Sequence, residues 1–144
     1  MPEAVHAEIQ VAAPQATVFA FLTDPDKLVR WVGSARTEPR PGGIYLVNVR
    51  EKHGARGEFT EVIPVHRLAY SFGWEGRPDV PPGSSLIEID LVEKDGGTLV
   101  HFTHSGLPNE EERVAHAKGW KHYLGRLAIA ASGGDPGPDE PSEG

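Results

Sequence analysis

The sequence predicts an α+β fold, in which a curved antiparallel sheet of about six or seven strands wraps around one long C-terminal helix. Three observations predict it. A strand pattern opens the chain, about six more strand patterns follow two short helical segments, and one long amphipathic segment comes last. Strands joined by short turns form an antiparallel meander. Only the last helix is long enough to cover the apolar face of that meander.

The first part of the chain predicts one strand and two short helices. Residues 5–11 alternate apolar and polar side chains, which is typical of a strand with one buried face. Residues 14–22 and 24–32 follow a helical pattern, and Asp24 and Pro25 suit the N-cap and the first position of the second helix. The apolar residues on the inner sides of these helices are Val18, Phe19, Leu22, Leu28, Trp31 and Val32.

Six strand patterns come next, separated by segments rich in Gly and Pro. They cover residues 34–38, 44–50, 58–63, 67–74, 85–93 and 98–106. We expect residues 51–57 to form a loop or a loose hairpin, because they contain two glycines and three charged residues. Residues 94–97, with the sequence KDGG, predict a tight hairpin turn.

The last helix is predicted over residues 108–131. Its apolar residues recur at spacings of three and four, and they are Val114, Ala117, Trp120, Leu124, Leu127 and Ala131. Gly119 is unusual in a helix interior, and we expect it to let a neighbouring chain come close, with Gly125 as a second such position. Residues 132–144 have almost no apolar side chain, so we predict one domain over 1–131 and a disordered tail over 132–144.

Composition excludes several classes of partner. The 144 residues carry a formal net charge of −7, and no cluster of Lys and Arg offers a phosphate backbone or an anionic membrane a basic face. Without cysteine, disulfide and thiolate chemistry are excluded. No signal-peptide pattern opens the chain, and no apolar run approaches the ~20 residues of a membrane span. We therefore expect a cytoplasmic protein that binds no nucleic acid and does not insert into membranes.

Five segments of the sequence resemble one superfamily. They are FLTDPDKLVRWV, PGGIYLV, GEFTEVIPVHRLAYSF, GGTLVHFTHSGLP and GWKHYLGRLA, in this order, over roughly residues 7–130. In these segments the chain is similar to the START-like (SRPBCC, helix-grip) superfamily, and within it to bacterial homologues of the C-terminal domain of the heat-shock-protein-90 ATPase activator. The resemblance implies a helix-grip fold with an apolar cavity between sheet and long helix. The resemblance implies a chaperone partner only by analogy with that activator.

The candidate ligand-binding residues are aromatic residues and histidines expected on the inner faces. They are Trp31, Tyr45, Tyr70, Phe72, Trp74, Phe102, His104, His116, Trp120 and Tyr123. These side chains either fill a simple core or line a pocket, and an internal volume of several hundred Å³ would distinguish the second case. His104 shares the parity of Phe102 and is either a hydrogen-bonded core residue or a polar group at the cavity. A solvated helix position is the simpler interpretation of His116.

The remaining polar residues predict no metal site and no cofactor. His101 and His104 are three apart on a strand, so they point to opposite faces and cannot share a metal. Glu88 and Asp90 are expected on the outer face of their strand. Glu61 shares the parity of an inward phenylalanine, so we expect it to point inward, beside Arg36.

Three hypotheses of function follow. The first is a binding protein for a hydrophobic small molecule, which is not a conventional enzyme. The second is an enzyme of the cyclase or hydratase type acting on an aromatic or polyketide-like compound, with His104, Tyr45 and Tyr70 as acid/base and orienting groups. The third is a chaperone-interacting protein. A sheet edge that pairs with a second copy would give a homodimer, and the sequence leaves this open.

Overall fold

The structure is a computed structural model that describes residues 4–49 and 53–137. Its elements are β1 (Ala4–Val11), α1 (Gln15–Thr23), α2 (Pro25–Leu28), β2 (Gly33–Thr37), β3 (Ile44–Val49), β4 (His53–Ile63), β5 (Arg67–Phe72), β6 (Ser85–Lys94), β7 (Gly97–Ser105) and α3 (Glu110–Ala131). This order confirms the predicted α+β fold. The seven strands form one sheet in the order β1-β7-β6-β5-β4-β3-β2, and every neighbouring pair is antiparallel.

The core lies between the inner face of the sheet and the helices. Alternate residues of β6 point inward and are buried, namely Ser85, Ile87, Ile89 and Leu91. The two short helices pack at one end, where the indole N–H of Trp31 donates to the carbonyl of Phe21 at 2.8 Å. Arg126 of α3 then donates to the carbonyl of Trp31, also at 2.8 Å, and ties the long helix to this end.

The β6–β7 hairpin confirms the turn predicted from KDGG. Lys94 pairs with Gly97, and Asp95 and Gly96 both have positive φ, at 53° and 78°. Two successive left-handed residues are the geometry of the tightest hairpin turn, and Asp-Gly is a favoured pair there.

Of the loop or loose hairpin predicted over 51–57, the hairpin is correct, because β3 and β4 pair antiparallel with Val49 opposite His53. A loop is wrong for residues 53–57, because β4 begins at His53, and residues 51 and 52 lie outside the described part of the chain. The glycines that predicted a loop serve a different purpose. A Cβ on Gly57 would lie 1.7 Å from the carbonyl oxygen of Ser71, and one on Gly54 would lie 2.3 Å from a carboxylate oxygen of Glu75. Glycine in a strand often marks such a close approach.

Glu61 does not point inward, and its predicted contact with Arg36 is wrong. A β-bulge between Phe59 and Glu61 shifts the register, because Phe59 pairs with Tyr70 while Glu61 pairs with Ala69. One extra residue reverses the inside–outside parity that follows it. Glu61 therefore accepts a hydrogen bond from Arg67 at 2.8 Å on the outer face.

The same arginine joins two further carboxylates. Arg67 donates to Glu88 at 2.7 Å and to both carboxylate oxygens of Asp90 at 3.0 Å. Hydrogen bonds to Glu61, Asp90 and Glu88 raise the pKa of Arg67 above its already high value. The prediction that Glu88 and Asp90 lie on the outer face is correct, and Arg67 bridges them across β5 and β6.

Helix α3 starts at Glu110, two residues later than predicted, with Asn109 as N-cap accepting from the backbone N–H of Glu112 at 2.9 Å. The predicted inner face is correct at Leu124, Leu127 and Ala131, which are buried. It is wrong in the first half, because Val114 is 61% exposed and Ala117 is exposed as well. His116 is buried instead, so its interpretation as a solvated position is also wrong.

Candidate functional site

A pocket of about 410 Å³ lies between strands β3, β4 and β5 and the first half of α3. Apolar and aromatic side chains form most of its wall, the charged side chains come from α3 and from the loop after β5, and His53 lies at the start of β4. The residues that line it are Val32, Tyr45, Val47, Val49, His53, Ala55, Phe72, Trp74, Arg77, Glu112, Ala115, His116, Lys118, Gly119, Trp120, His122 and Tyr123.

The candidate residues divide into two groups around this pocket. Those that line it are Tyr45, Phe72, Trp74, His116, Trp120 and Tyr123. Those that lie behind its wall, buried in the core, are Trp31, Tyr70, Phe102 and His104. Strand parity places Val47 and Val49 on the same wall as Tyr45. No pattern in the sequence indicated the polar residues at the opening, such as Lys118 and His53.

Gly119 explains part of the pocket, in a way opposite to the prediction. A Cβ placed on Gly119 would meet no atom within 4 Å, so no neighbouring chain approaches it closely. The residue lines the pocket, and the missing side chain leaves space there. The same open surroundings hold for Gly125, which is not part of the pocket wall.

Trp120 borders the pocket and also packs into the core. Its ring lies 4.5 Å from that of Phe102 and 5.7 Å from that of Phe72, measured between ring centroids. Its indole N–H donates to Nδ1 of His104 at 3.1 Å. The side chain therefore forms a wall of the pocket that is fixed by both packing and a hydrogen bond.

His104 is fully buried, and its hydrogen bonds determine its tautomer. An indole N–H can only donate, so Nδ1 accepts from Trp120 and the ring proton of the neutral form is on Nε2. Nε2 lies 2.9 Å from the hydroxyl of Ser85, which in turn donates to the carbonyl of Phe72 at 2.8 Å. Burial, and secondarily the neighbouring His116, lower the pKa of His104 to about 3. The imidazole is thus neutral with both nitrogens engaged.

His116 repeats this arrangement with the opposite tautomer. The indole N–H of Trp74 donates to its Nε2 at 3.0 Å, so the ring proton is on Nδ1, which lies 2.8 Å from the carbonyl of Glu112. The His104 and His116 rings are 5.3 Å apart and nearly perpendicular. In each imidazole the lone pair already accepts an indole N–H, and Nδ1 of His116 also lies 3.5 Å from a carboxylate oxygen of Glu112.

Tyr45 and Tyr70 stack in the wall opposite α3, with ring centroids 4.0 Å apart and an interplanar angle of 19°. Burial raises the pKa of Tyr45 to about 12, although the Tyr70 hydroxyl partly offsets this effect. Burial first, and the neighbouring Tyr45 second, raise the pKa of Tyr70 well above its usual value. Both phenols therefore stay protonated at neutral pH, and of the two only Tyr45 reaches the pocket.

The opening of the pocket carries most of its charge. Arg77 donates to Glu112 at 2.5 Å and to Asp79 at 2.7 Å, so two carboxylates share its guanidinium. Lys118 is exposed and forms no ion pair within the described residues.

Across residues 4–49 and 53–137, no three potential metal ligands cluster, and no helix is both long and apolar enough to span a membrane.

The family of this chain is shown by its sequence. The family described as "Activator of Hsp90 ATPase homolog 1-like protein" matches residues 12–132. The chain belongs to this family. No curated protein is similar enough in sequence to match the chain.

Solved structures of relatives share the fold. An AHSA1-like protein from Rhizobium etli is 60% identical, with a TM-score of 0.77 over 96% of this chain and 88% of that chain. CalU16 from Micromonospora echinospora is 27% identical, with a TM-score of 0.75 over 92% of this chain and 78% of that one. The Aha1 dimer from Colwellia psychrerythraea is 20% identical, with a TM-score of 0.79 over 92% and 98%, and this similarity shows the fold alone.

Proposed function

We propose that the chain is a binding protein for an apolar small molecule, held between the sheet and the first half of α3. The pocket volume of about 410 Å³ carries the proposal. It lies within the range of about 300–1,000 Å³ that is typical of small-molecule sites. The wall also has the expected composition, with many apolar and aromatic side chains and a few polar groups.

The polar groups inside the pocket favour binding over catalysis. His104 and His116 use their lone pairs to accept indole N–H groups, so neither of these two is placed as a general base. With a pKa of about 12, Tyr45 is a weak acid that stays protonated and can orient a ligand by a hydrogen bond. For these reasons the cyclase or hydratase hypothesis ranks below the binding hypothesis.

The binding proposal is tested by filling the pocket from Gly119. Gly119→Phe places a ring in the open space beside the helix, and we expect it to abolish binding of a neutral apolar probe such as naphthol. Gly119→Ala is the matched control and should bind the probe. Calorimetric titration measures both, and mass spectrometry of the purified protein identifies any molecule that copurifies. If wild-type protein binds no apolar probe and carries no copurified molecule, the proposal fails.

A chaperone contact is the second candidate, and only the family match favours it. The test is the ATPase rate of a heat-shock protein 90 with and without this chain, together with a pull-down.

A homodimer through an outer strand, β1 or β2, remains a proposal as well, and light scattering would measure its mass. The cytoplasmic location stays a prediction.

A further inference from the structure

Among the described residues, the interior of the pocket offers no unpaired counter-charge for an ionised ligand group, because Glu112 lies against Arg77 and 3.5 Å from Nδ1 of His116. His104, behind the wall, is neutral, and His116 already accepts from Trp74 and reaches the carbonyl of Glu112. Tyr45 is a protonated phenol at neutral pH. A charged group placed there would lose its water without gaining a partner, which is costly. Any charge on the ligand must therefore remain at the opening.

Among the described residues, Lys118 is the cation of the pocket wall that no carboxylate pairs with. Arg77 is bound by Asp79 and Glu112. This pairing occupies Glu112, which is the carboxylate among the described residues of the wall. Lys118 remains, next to Gly119, with no ion pair in the described segments. His53 and His122 also line this region, and neither adds a negative charge.

This local charge is opposite to that of the whole chain, which has a formal net charge of −7. A ligand with a cationic head would meet Lys118 and find the pocket carboxylate already in an ion pair. A ligand with an anionic head would place its charge beside an available ammonium group while its apolar part enters the pocket.

We propose that the ligand is an apolar carboxylate, whose hydrocarbon part fills the pocket and whose carboxylate lies at the opening beside Lys118. This inference rests on the proposed function and names the ligand class of the same pocket. Lys118 determines the preference for an acid over a neutral analogue. The aromatic and aliphatic surfaces of the wall suit either an aromatic acid or a fatty acid, and the carboxylate is their shared chemistry.

The test uses pairs of probes that differ only in their head group. Dodecanoate is compared with dodecanol, and naphthoate with naphthol, by calorimetric titration at neutral pH and low salt. We expect each acid to bind about five-fold more tightly than its alcohol, as one well-placed surface charge pair provides. Added salt should reduce the advantage of the acids, because it screens that pair. The pair that binds more tightly, compared at the same head group, shows which hydrocarbon class the pocket prefers.

Lys118→Gln should remove the preference for acids and leave binding of the alcohols unchanged. Lys121→Gln is the matched control, because Lys121 is exposed on the same helix and does not line the pocket. Equal binding of acid and alcohol by the wild-type protein would overturn this inference while the binding function stands. A preference that persists in Lys118→Gln would also overturn it. Failure of all four probes to bind would instead count against the proposed function itself.

Discussion

Val65 has a backbone conformation that β-branched residues rarely adopt. It follows Pro64 in the turn between β4 and β5, with φ at 60°, and the N–H of His66 closes the turn on the carbonyl of Ile63 at 2.9 Å. A turn with Pro second and positive φ third ordinarily has Gly or Asn in the third position. For most residues the left-handed conformation costs roughly 1–2 kcal/mol.

Val65→Asn should therefore stabilise the protein by about 1 kcal/mol, because Asn tolerates positive φ better than Val does. Urea denaturation measures the free energy of unfolding. Val65→Ala is the comparison, since it loses the branch but keeps a Cβ in the same conformation and should stabilise the protein less than Asn does. An Asn variant no more stable than the wild type would show that the strain is absent in solution.

The hydrogen bond between Trp120 and His104 should be visible in a double-mutant cycle. Trp120→Phe leaves the buried Nδ1 of His104 without a donor, which costs about 1–3 kcal/mol in addition to lost contacts. The double variant Trp120→Phe with His104→Leu removes both partners, so its destabilisation should be smaller than the sum of the two single changes. Additive effects in urea denaturation would contradict the bond.

Single residues also show which side-chain positions the sequence alone predicts and which it does not. Parity alone predicted that His104 points inward, because a regular strand has a strict period of two. It could not predict that His116 is buried, because a polar side chain on a helix is buried only when distant groups satisfy it. The indole N–H of Trp74 does so, from 42 residues earlier in the chain.

At the scale of the element, the glycines of α3 give a prediction about both stability and shape. Glycine is about 1 kcal/mol less favourable than alanine in a helix interior. A Cβ on Gly119 or on Gly125 would meet nothing within 4 Å. We therefore expect Gly119→Ala and Gly125→Ala each to stabilise the protein by about 1 kcal/mol, measured by urea denaturation.

The two positions differ in only one relevant respect, since Gly119 lines the pocket and Gly125 does not. Gly125→Ala is therefore the control for Gly119→Ala. If only Gly119→Ala were destabilising, the space beside the first half of α3 would be filled in solution, and the pocket would be closed.

Elements were predicted well where their patterns were regular. The hairpin between β6 and β7 and the C-terminal half of α3 were correct because local turn chemistry and apolar spacing determine them. Strand β4 was predicted less well. Its glycines lie where a neighbouring segment of the protein comes close, and its bulge between Phe59 and Glu61 reverses which side chains point inward. Both features depend on contacts with β5 and with Glu75 just after it, which the sequence of β4 does not contain.

At the scale of the whole molecule, the interior is divided between a packed half and an open half. Toward the C-terminal end of α3, Leu124, Leu127 and Ala131 are buried against the sheet and the short helices. Toward its N-terminal end, aromatic rings and His116 line a space of about 410 Å³, and His104 lies behind them. The open half thus depends on buried polar groups whose protonation affects the stability of the entire fold.

His104 therefore predicts a loss of global stability in mild acid. Its pKa is about 3 in the folded chain, against an ordinary value of 6.5, because burial disfavours the charged ring. Between these two values the unfolded state binds the additional proton, so stability falls as pH falls and is fully regained above the ordinary pKa. This residue alone should lower the free energy of unfolding by about 1 kcal/mol between about pH 7 and about pH 5.5.

His104→Gln keeps a polar side chain that does not titrate, so the difference in its stability between the two pH values should be smaller by that amount. Urea denaturation of both proteins at both pH values provides the comparison, above the range in which most carboxylates titrate. An unchanged pH dependence in the variant would mean that His104 reaches solvent and protonates in the folded state. In that case the chain of bonds from Trp120 through His104 to Ser85 would not persist in solution, and the wall of the pocket that it holds would be mobile.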